Sequence, residues 1–280
     1  IEIARALIDI GAINWRSFES TLTIAVMKNR IDFVELLLNN GAQIDLESYI
    51  GHGTALQLAI EQKNFRIARL LIERGADFSS TKFYRASAIE IAVQNGHLEF
   101  ARELLDIRPE LSSKIFPVAI RSNYIEFTKE LLDRGANVNT ICSFGQSPLQ
   151  LAIKKGYIKL AILLLERGAD VNATPTRLFP TPLYMAIESG LLDLAELLLD
   201  RGADPTKGNH SGESCLDLAI SKGFEKLAEI CRIKAEELGG DGGGAAGGGG
   251  AAGAAGGAGA GGGGAAGAAS RGSLTGQQQQ

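Results

Sequence analysis

The chain has 280 residues, of which 45% are hydrophobic and 21% charged, and its formal net charge is −4 at pH 7. This mildly acidic balance argues against a nucleic-acid-binding protein, which usually carries a basic face. No apolar run reaches the roughly 18–20 residues needed to span a bilayer, so no membrane contact is expected.

The chain opens on an amphipathic segment, residues 1–14, whose pattern predicts the second helix of a helix pair. Ile3, Leu7 and Ile8 share one apolar face, and Gly11 is placed to end the helix. The helix that would cover this face is missing from the sequence. Residues 1–14 are therefore interpreted as half of a truncated unit, with further units or another domain expected upstream.

Residues 15–238 contain a recurring two-helix pattern, which is clearest between residues 145 and 173. Ser147 and Pro148 predict a helix start, because Ser accepts a hydrogen bond from an unpaired N–H and Pro has no N–H to leave unpaired. A glycine, Gly156, then separates a short helix from a longer one. Neither helix buries its apolar face alone, so the pattern predicts stacked helix pairs.

A small residue inside the first helix of each unit marks the period of the chain. Successive gaps are 34, 33, 27, 33, 34 and 33 residues. A period near 33 residues is typical of stacked helix–turn–helix units. The marking residues are Ala25, Ala59, Ala92, Ala119, Ala152, Ala186 and Ala219.

Some units depart from the pattern. Asn29 and Lys63 replace the glycine between the helices, where Asn tolerates the left-handed conformation and Lys carries a steric cost. Residues 108–110, Arg-Pro-Glu, replace Gly-Ala-Asp before the short gap, which predicts a truncated connection between the fourth and fifth units, where residues 1–14 count as the first unit. Pro117 is expected in the first turn of its short helix, where it is tolerated.

The last unit ends in a longer helix rich in Glu and Lys, residues 225–238, which is expected to cap the array. Residues 239–280 form a separate segment that is almost entirely Gly and Ala and ends in four Gln. Such a segment buries too little apolar surface to offset the entropy of ordering, so it is predicted to be disordered. A weak association role for its Gln end stays open.

The two halves of the unit resemble the ankyrin repeat. The first half occurs as SPLQLAI at 147–153 and TPLYMAI at 181–187, and the second as LLLERGADVN at 163–172 and LLLDRGADP at 197–205. The resemblance implies an all-α ankyrin-repeat solenoid of about seven full repeats plus an N-terminal half repeat, with β-hairpin or loop fingers between repeats.

Few residues suggest chemistry. Cys142, Cys215 and Cys231 lack metal or redox spacing and are interpreted as reduced thiols of a cytoplasmic or nuclear protein. His97 matches the Gly-His of the ankyrin turn and is expected to be structural, with its imidazole hydrogen-bonded to nearby backbone. No catalytic triad, paired-carboxylate site or phosphate loop is present, so no enzyme activity, cofactor or metal is expected.

Several fingers are unusually apolar, with bulky residues spaced along one edge of the array, as in protein-binding hot spots. The competing interpretation is that these rings pack against the neighbouring finger. The two interpretations are equally supported for Phe18, Phe144 and Phe179, and partner binding is favoured for the residues near the finger tips. The predicted partner-binding residues are Tyr49, Ile50, Phe83, Tyr84, Phe144 and Phe179.

The resemblance therefore implies a non-catalytic scaffold, monomeric as a fragment, that binds a partner protein through its finger tips and short-helix face. The exposed ends of the short helices mix both charge signs, so no single ligand charge is indicated. Two alternatives stay open. One is a recruitment arm of a larger enzyme or signalling protein, and the other is an elastic spacer that loses no partner when the finger aromatics are removed.

Overall fold

The computed structural model describes residues 21–48, 53–81, 86–174, 176 and 178–240. In these residues the helices come in pairs, and in all pairs but one the second helix is the longer, which confirms the predicted all-α solenoid of helix–turn–helix units. The pairs are α1 Thr21–Met27 and α2 Ile31–Asn39, α3 Ala55–Glu61 and α4 Phe65–Glu73, α5 Ala88–Gln94 and α6 Leu98–Ile107, α7 Ser112–Arg121 and α8 Ile125–Asp133, α9 Pro148–Lys154 and α10 Ile158–Glu166, α11 Pro182–Glu188 and α12 Leu192–Asp200, and α13 Cys215–Ser221 and α14 Glu225–Gly240.

The connections from each long helix to the next short helix are the fingers, and they are hairpins or loops. Strands β1, Glu47–Ser48, and β2, Gly53–Thr54, pair antiparallel just before α3. A single β-bridge joins Gly208 to Ser214 before α13. The finger before α9 contains a short 3₁₀ turn, Ser143–Gly145.

Capping boxes begin most of the short helices, which have only about two turns and would be unstable alone. In α9 the Ser147 hydroxyl accepts a hydrogen bond from the backbone N–H of Gln150, and the Gln150 side chain accepts one from the backbone N–H of Ser147 at 2.8 Å. The same reciprocal arrangement precedes α3, α5 and α13. These caps fix where each short helix starts.

The core lies between successive helix pairs, and the marking alanine of each unit is buried within it. A larger side chain there would force the packed helices apart, which explains why the position stays small. The buried residues of this series are Ala25, Ala59, Ala92, Ala119, Ala152, Ala186 and Ala219.

Two kinds of side-chain hydrogen bond join neighbouring repeats. The first comes from the short helix: Gln150 Nε2 donates to the Pro180 carbonyl at 2.8 Å, as Gln57 does to Ala86. The second comes from the finger: Asn172 Oδ1 accepts from the Asp204 backbone N–H at 2.8 Å. Asn139 makes the same bond to the repeat that follows it. We call these the short-helix bond and the finger bond.

The fourth and fifth repeats are joined without a finger, which confirms the truncation expected from the short gap. Helix α6 ends at Ile107, a 3₁₀ turn follows, and α7 begins at Ser112. Arg108 turns back toward the preceding finger, where its guanidinium donates to Ser79 Oγ at 2.9 Å and lies 4.8 Å from the centroid of the Phe78 ring.

The predicted position of Pro117 is wrong. Because no finger separates the repeats, α7 starts early and has ten residues, so Pro117 lies inside the helix rather than in its first turn. A proline there removes the N–H that would bond the carbonyl four residues earlier, at Ser113. The turns between helices agree with expectation, since Asn29 and Lys63 have φ values of 51° and 61°.

Candidate protein-binding surface

The structure describes two of the six predicted partner-binding residues. Phe144 lies on the fifth finger, residues 135–146, and Phe179 on the sixth finger, residues 168–180. The other predicted residues lie outside the described part of the chain, and their assignment stays a prediction. They are Tyr49, Ile50, Phe83 and Tyr84.

A tight turn at the end of the fifth finger holds Phe144 away from the core. The Cys142 backbone N–H donates to the Gln146 carbonyl at 2.8 Å, and the Gly145 N–H donates to the Cys142 carbonyl at 3.1 Å. Closing this turn places Phe144 at φ 65° and ψ 12°, in the left-handed region. A bulky L-residue pays roughly 1–2 kcal/mol there, so the turn is strained at this residue.

The side chains on these two fingers are unusually exposed for apolar groups. Phe144, Leu178 and Ile141 are 84%, 75% and 62% exposed, more than any other large hydrophobic side chain of the described residues. The interpretation that Phe144 packs against a neighbouring element is therefore wrong, because its ring lies in solvent. Exposed apolar side chains grouped in this way mark interaction sites more often than isolated ones do.

The two fingers touch beside these residues. Thr176 Oγ1 donates to the Gly145 carbonyl at 3.3 Å. A Cβ atom at Gly145 would lie 2.5 Å from Thr176 Cγ2, so a larger residue would force Thr176 to move, and the φ of +77° favours glycine as well. Phe144 precedes Gly145 and Leu178 follows Thr176 closely. We call Ile141, Phe144, Leu178 and Phe179 the apolar finger surface.

Phe179 is half-buried, and a cation lies over its ring. The Lys154 ammonium, on the last residue of α9, is 5.3 Å from the ring centroid, within the range of a cation–π interaction. Sequence reasoning missed this pair because the two residues belong to different repeats. Only the repeat register, which brings the end of one short helix to the next finger, could have suggested it.

An open cleft of about 340 Å³ lies between the sixth and seventh fingers, beside Phe179. A hydrogen-bonded group stands next to it: Asn209 Nδ2 donates to the Tyr184 hydroxyl at 2.8 Å, and that hydroxyl donates to Glu213 Oε2 at 2.5 Å. Burial, together with this bond to Glu213, raises the pKa of Tyr184 to about 12. The residues that line the cleft are Thr174, Thr176, Phe179, Gly208, Asn209 and His210.

The short helices α3, α5, α9 and α11 expose little beyond their last residues. In α9, for example, residues 148–153 are buried and only Lys154 is exposed. Glu61, Gln94 and Glu188 occupy the same exposed position in other repeats. The surface that this face offers to a partner is therefore a row of helix ends beside the fingers.

The long helices carry a different chemistry, since ion pairs join the long helix of one repeat to that of the next. Arg69 bonds both carboxylate oxygens of Glu103 at 2.8 Å, and Arg102 bonds Glu130 at 2.8 Å. The Arg69 guanidinium holds the pKa of Glu103 below its usual range. Carboxylates on this face are structural partners of arginines and form no converging acid–base site among the described residues.

The cysteines and His97 show no activated group. Burial raises the pKa of the Cys142 and Cys231 thiols to about 11 and that of Cys215 to about 12, so all three stay protonated near neutral pH. The backbone hydrogen bond expected for His97 is not made by its buried Nε2 atom, which has no partner. The imidazole instead packs edge-on against Phe65, with 5.2 Å between ring centroids.

None of the helices in the described residues is long and apolar enough to cross a membrane.

Family comparisons agree with this architecture. A family model of ankyrin repeats matches residues 1–82, 22–115 and 89–175, and a model of the single ankyrin repeat matches residues 181–210. The chain therefore belongs to the ankyrin repeat family, whose members are generally non-catalytic protein–protein interaction modules.

The chain is also similar to individual proteins. It is 32% identical over 99 residues to the ankyrin repeat and KH domain-containing protein mask-1 of Caenorhabditis elegans, a match that spans 35% of this chain and 4% of that protein. The ankyrin repeat domain of Bcl-3, a member of the IkappaB family, is 27% identical over 75% of this chain and 97% of its own, with a TM-score of 0.64. The human ASB11 ankyrin repeat domain shares the fold, at 24% identity, 77% and 97% coverage and a TM-score of 0.59.

Proposed function

We propose that this chain is a non-catalytic interaction module that binds an extended segment of a partner protein on the apolar finger surface. The observation that carries the proposal is Phe144, which is held in a strained left-handed conformation and is 84% exposed. The fold gains no packing from this ring. Strain that persists without a packing gain is typical of functional positions.

The binding mechanism follows from the rigidity of the two fingers. Their turns are closed by backbone hydrogen bonds, and Thr176 joins them, so little ordering is required when a partner binds. Apolar side chains of the partner would cover Phe144, Leu178 and Ile141, and the loss of water from these groups would supply most of the affinity. The partner is thus a segment with two or more apolar side chains.

The same proposal covers the predicted organisation of the chain. Residues 15–238 form the binding array, residues 1–14 the half repeat before it, and residues 239–280 a separate tail. The proposal includes Tyr49, Ile50, Phe83 and Tyr84, which the sequence predicts near the tips of other fingers. We place the protein in the cytoplasm or nucleus, as a monomer, and the three free cysteines support a reducing compartment.

A second candidate function is recruitment for a larger protein. Its support is the match to mask-1, in which the similar segment is only 4% of a protein that also has a KH domain. In that case the apolar finger surface would select the target, and another domain would act on it.

The proposal can be tested with random peptides displayed on phage and selected against the complete chain. The test variant is Phe144→Ser with Leu178→Ser, and the matched control is Ile233→Ser with Leu238→Ser, which removes two exposed apolar side chains from α14. We expect selected peptides to bind the test variant at least about tenfold more weakly and the control variant as tightly as the natural chain.

Equal affinity for the natural chain and the test variant would overturn the proposal, and so would a selection that enriches no peptide. Thermal unfolding of both variants checks that the fold is retained. Substituting Tyr49 and Ile50, or Phe83 and Tyr84, in the same assay tests the extension of the surface.

A further inference from the structure

The cleft beside Phe179 has chemistry that the apolar finger surface alone does not use. The Phe179 ring belongs to both features, since it lines the cleft and lies under the Lys154 ammonium. The other lining groups include the hydroxyl of Thr174 and the imidazole of His210, and the Glu213 carboxylate stands behind Asn209, where it accepts hydrogen bonds from Asn209 Nδ2 and the Tyr184 hydroxyl. The cleft therefore offers hydrogen-bond donors and a nearby positive charge.

Lys154 differs from the cations of the long helices. Arg69, Arg102 and Lys226 each bond a carboxylate of a neighbouring repeat. Lys154 has no carboxylate partner in the described part of the chain, and its contact is the Phe179 ring. An exposed ammonium over an aromatic ring keeps its full charge available to a ligand.

The positive charge beside the fingers extends to the preceding repeat. Arg121 occupies in α7 the position that Lys154 occupies in α9. Burial raises the pKa of the Cys142 thiol, and the positive charge of Arg121 acts in the opposite direction. Arg121 therefore lies close to Cys142, which belongs to the fifth finger. The next helix end carries Glu188, so the positive segment covers two repeats and then reverses sign.

We infer that the partner segment carries an aspartate or glutamate whose side chain enters the cleft beside Phe179 and pairs with Lys154, next to the apolar residues that cover Phe144 and Leu178. This inference rests on the proposed function. The carboxylate complements the charge of Lys154 and accepts hydrogen bonds from the Thr174 hydroxyl or the His210 imidazole, since Asn209 Nδ2 and the Thr176 hydroxyl already donate within the protein.

The inference is tested on the peptides selected against the complete chain. The variant is Lys154→Glu, and the matched control is Lys155→Glu, which makes the same charge change on the adjacent exposed residue. We expect Lys154→Glu to weaken binding about tenfold or more, Lys155→Glu to weaken it less than about twofold, and Lys154→Arg to retain it.

A double-mutant cycle identifies the carboxylate. Replacing the acidic residue of a peptide by its amide should weaken binding to the natural chain and cause no further loss with Lys154→Glu. Selected peptides without a recurring acidic residue, or equal effects of Lys154→Glu and Lys155→Glu, would overturn the inference. A gain in affinity that requires phosphoserine in place of the acidic residue would also overturn it.

Failure of this inference is distinguishable from failure of the proposed function. If Phe144→Ser with Leu178→Ser abolishes binding while Lys154→Glu does not, the apolar site stands and the acidic contact falls. If none of these substitutions weakens binding, both fall.

Discussion

The junction between the sixth and seventh repeats and the junction between the fourth and fifth join similar helix pairs by different chemistry. The first has a finger, a short-helix bond from Gln150 and a finger bond from Asn172, and its long helices share no ion pair in the described residues. In the part of the chain that the structure describes, the second has neither bond and no finger. Its long helices are joined by the ion pairs of Arg102 with Glu130 and Arg134 with Asp106.

This difference shows that the helix stack itself does not depend on the fingers. Where the finger is lost, apolar packing and ion pairs keep the repeats in register, and the helix stack continues without it. The apolar finger surface therefore lies where hydrogen bonds hold the fingers rigid. Substitutions and solvent changes that act on one of the two junctions should therefore have effects that can be told apart.

Removing the short-helix bond should have the largest effect. Gln150 is fully buried, and Gln150→Ala would leave both the Ser147 N–H and the Pro180 carbonyl without their partner. We expect the free energy of unfolding in urea to fall by about 2–4 kcal/mol. Gln94→Ala, at an exposed helix end, is the matched control and should change stability little. Equal effects of the two would contradict the role of the bond.

Replacing Pro117 should make the junction between the fourth and fifth repeats more stable. Because this proline lies inside α7, Pro117→Ala restores a backbone donor and removes a helix-breaking ring. We expect urea unfolding to show a gain of about 1–3 kcal/mol. A loss of stability would mean that the proline ring contributes packing that the helix needs.

High salt should weaken the junction between the fourth and fifth repeats more than the junction between the sixth and seventh. At 1 M salt the Debye length is about 3 Å, so partly exposed ion pairs are screened while buried hydrogen bonds are not. We expect amide hydrogen exchange to quicken in α6 and α8, which share two ion pairs, by an amount equivalent to about 1 kcal/mol, and to change less in α9 and α11, which take part in no ion pair in the described residues. Uniform acceleration along the chain would show that ion pairs do not distinguish the junctions.

A lower pH should have the smallest effect on the free energy of unfolding, and this effect should arise in the fourth repeat. Burial, with the nearby positive charge of Lys63, lowers the folded-state pKa of His97 below its ordinary value of 6.5. The unfolded chain therefore takes up a proton at higher pH than the folded chain does. Stability should fall as pH decreases through about 6.5 and stop falling below the folded-state pKa.

Tyr157 stands in the sixth repeat at the position of His97, so the fold accommodates a tyrosine there, and a tyrosine has no imidazole to take up a proton. His97→Tyr should therefore remove the acid sensitivity of unfolding between pH 7 and pH 5. An unchanged pH profile in this variant would assign the sensitivity to other groups.

Much of this fold was predictable because each repeat obeys local rules. The period of the marking alanines, the caps such as Ser147, and the left-handed turn at Lys63 depend on nearby residues only. Pro117 was misplaced because the start of α7 depends on the missing finger, which changes where the helix begins. The hydrogen bond expected for His97 is not made by its Nε2 atom. The imidazole packs instead against Phe65, which belongs to another repeat.

The candidate site was less predictable for the same reason. The sequence indicates apolar fingers, but exposure depends on how a turn closes, as at Phe144. The contact of Lys154 with Phe179 and that of Gly145 with Thr176 join residues of different repeats, and a single sequence does not encode such contacts in any local pattern.

We propose that the strained backbone at Phe144 is retained because it exposes the ring to a partner, and Phe144→Asn tests this most directly. Asparagine tolerates the left-handed conformation but has no ring. The account predicts that urea unfolding shows a gain of up to about 1 kcal/mol while the selected peptides bind about tenfold more weakly. A variant that loses stability and still binds these peptides as tightly as the natural chain would contradict it.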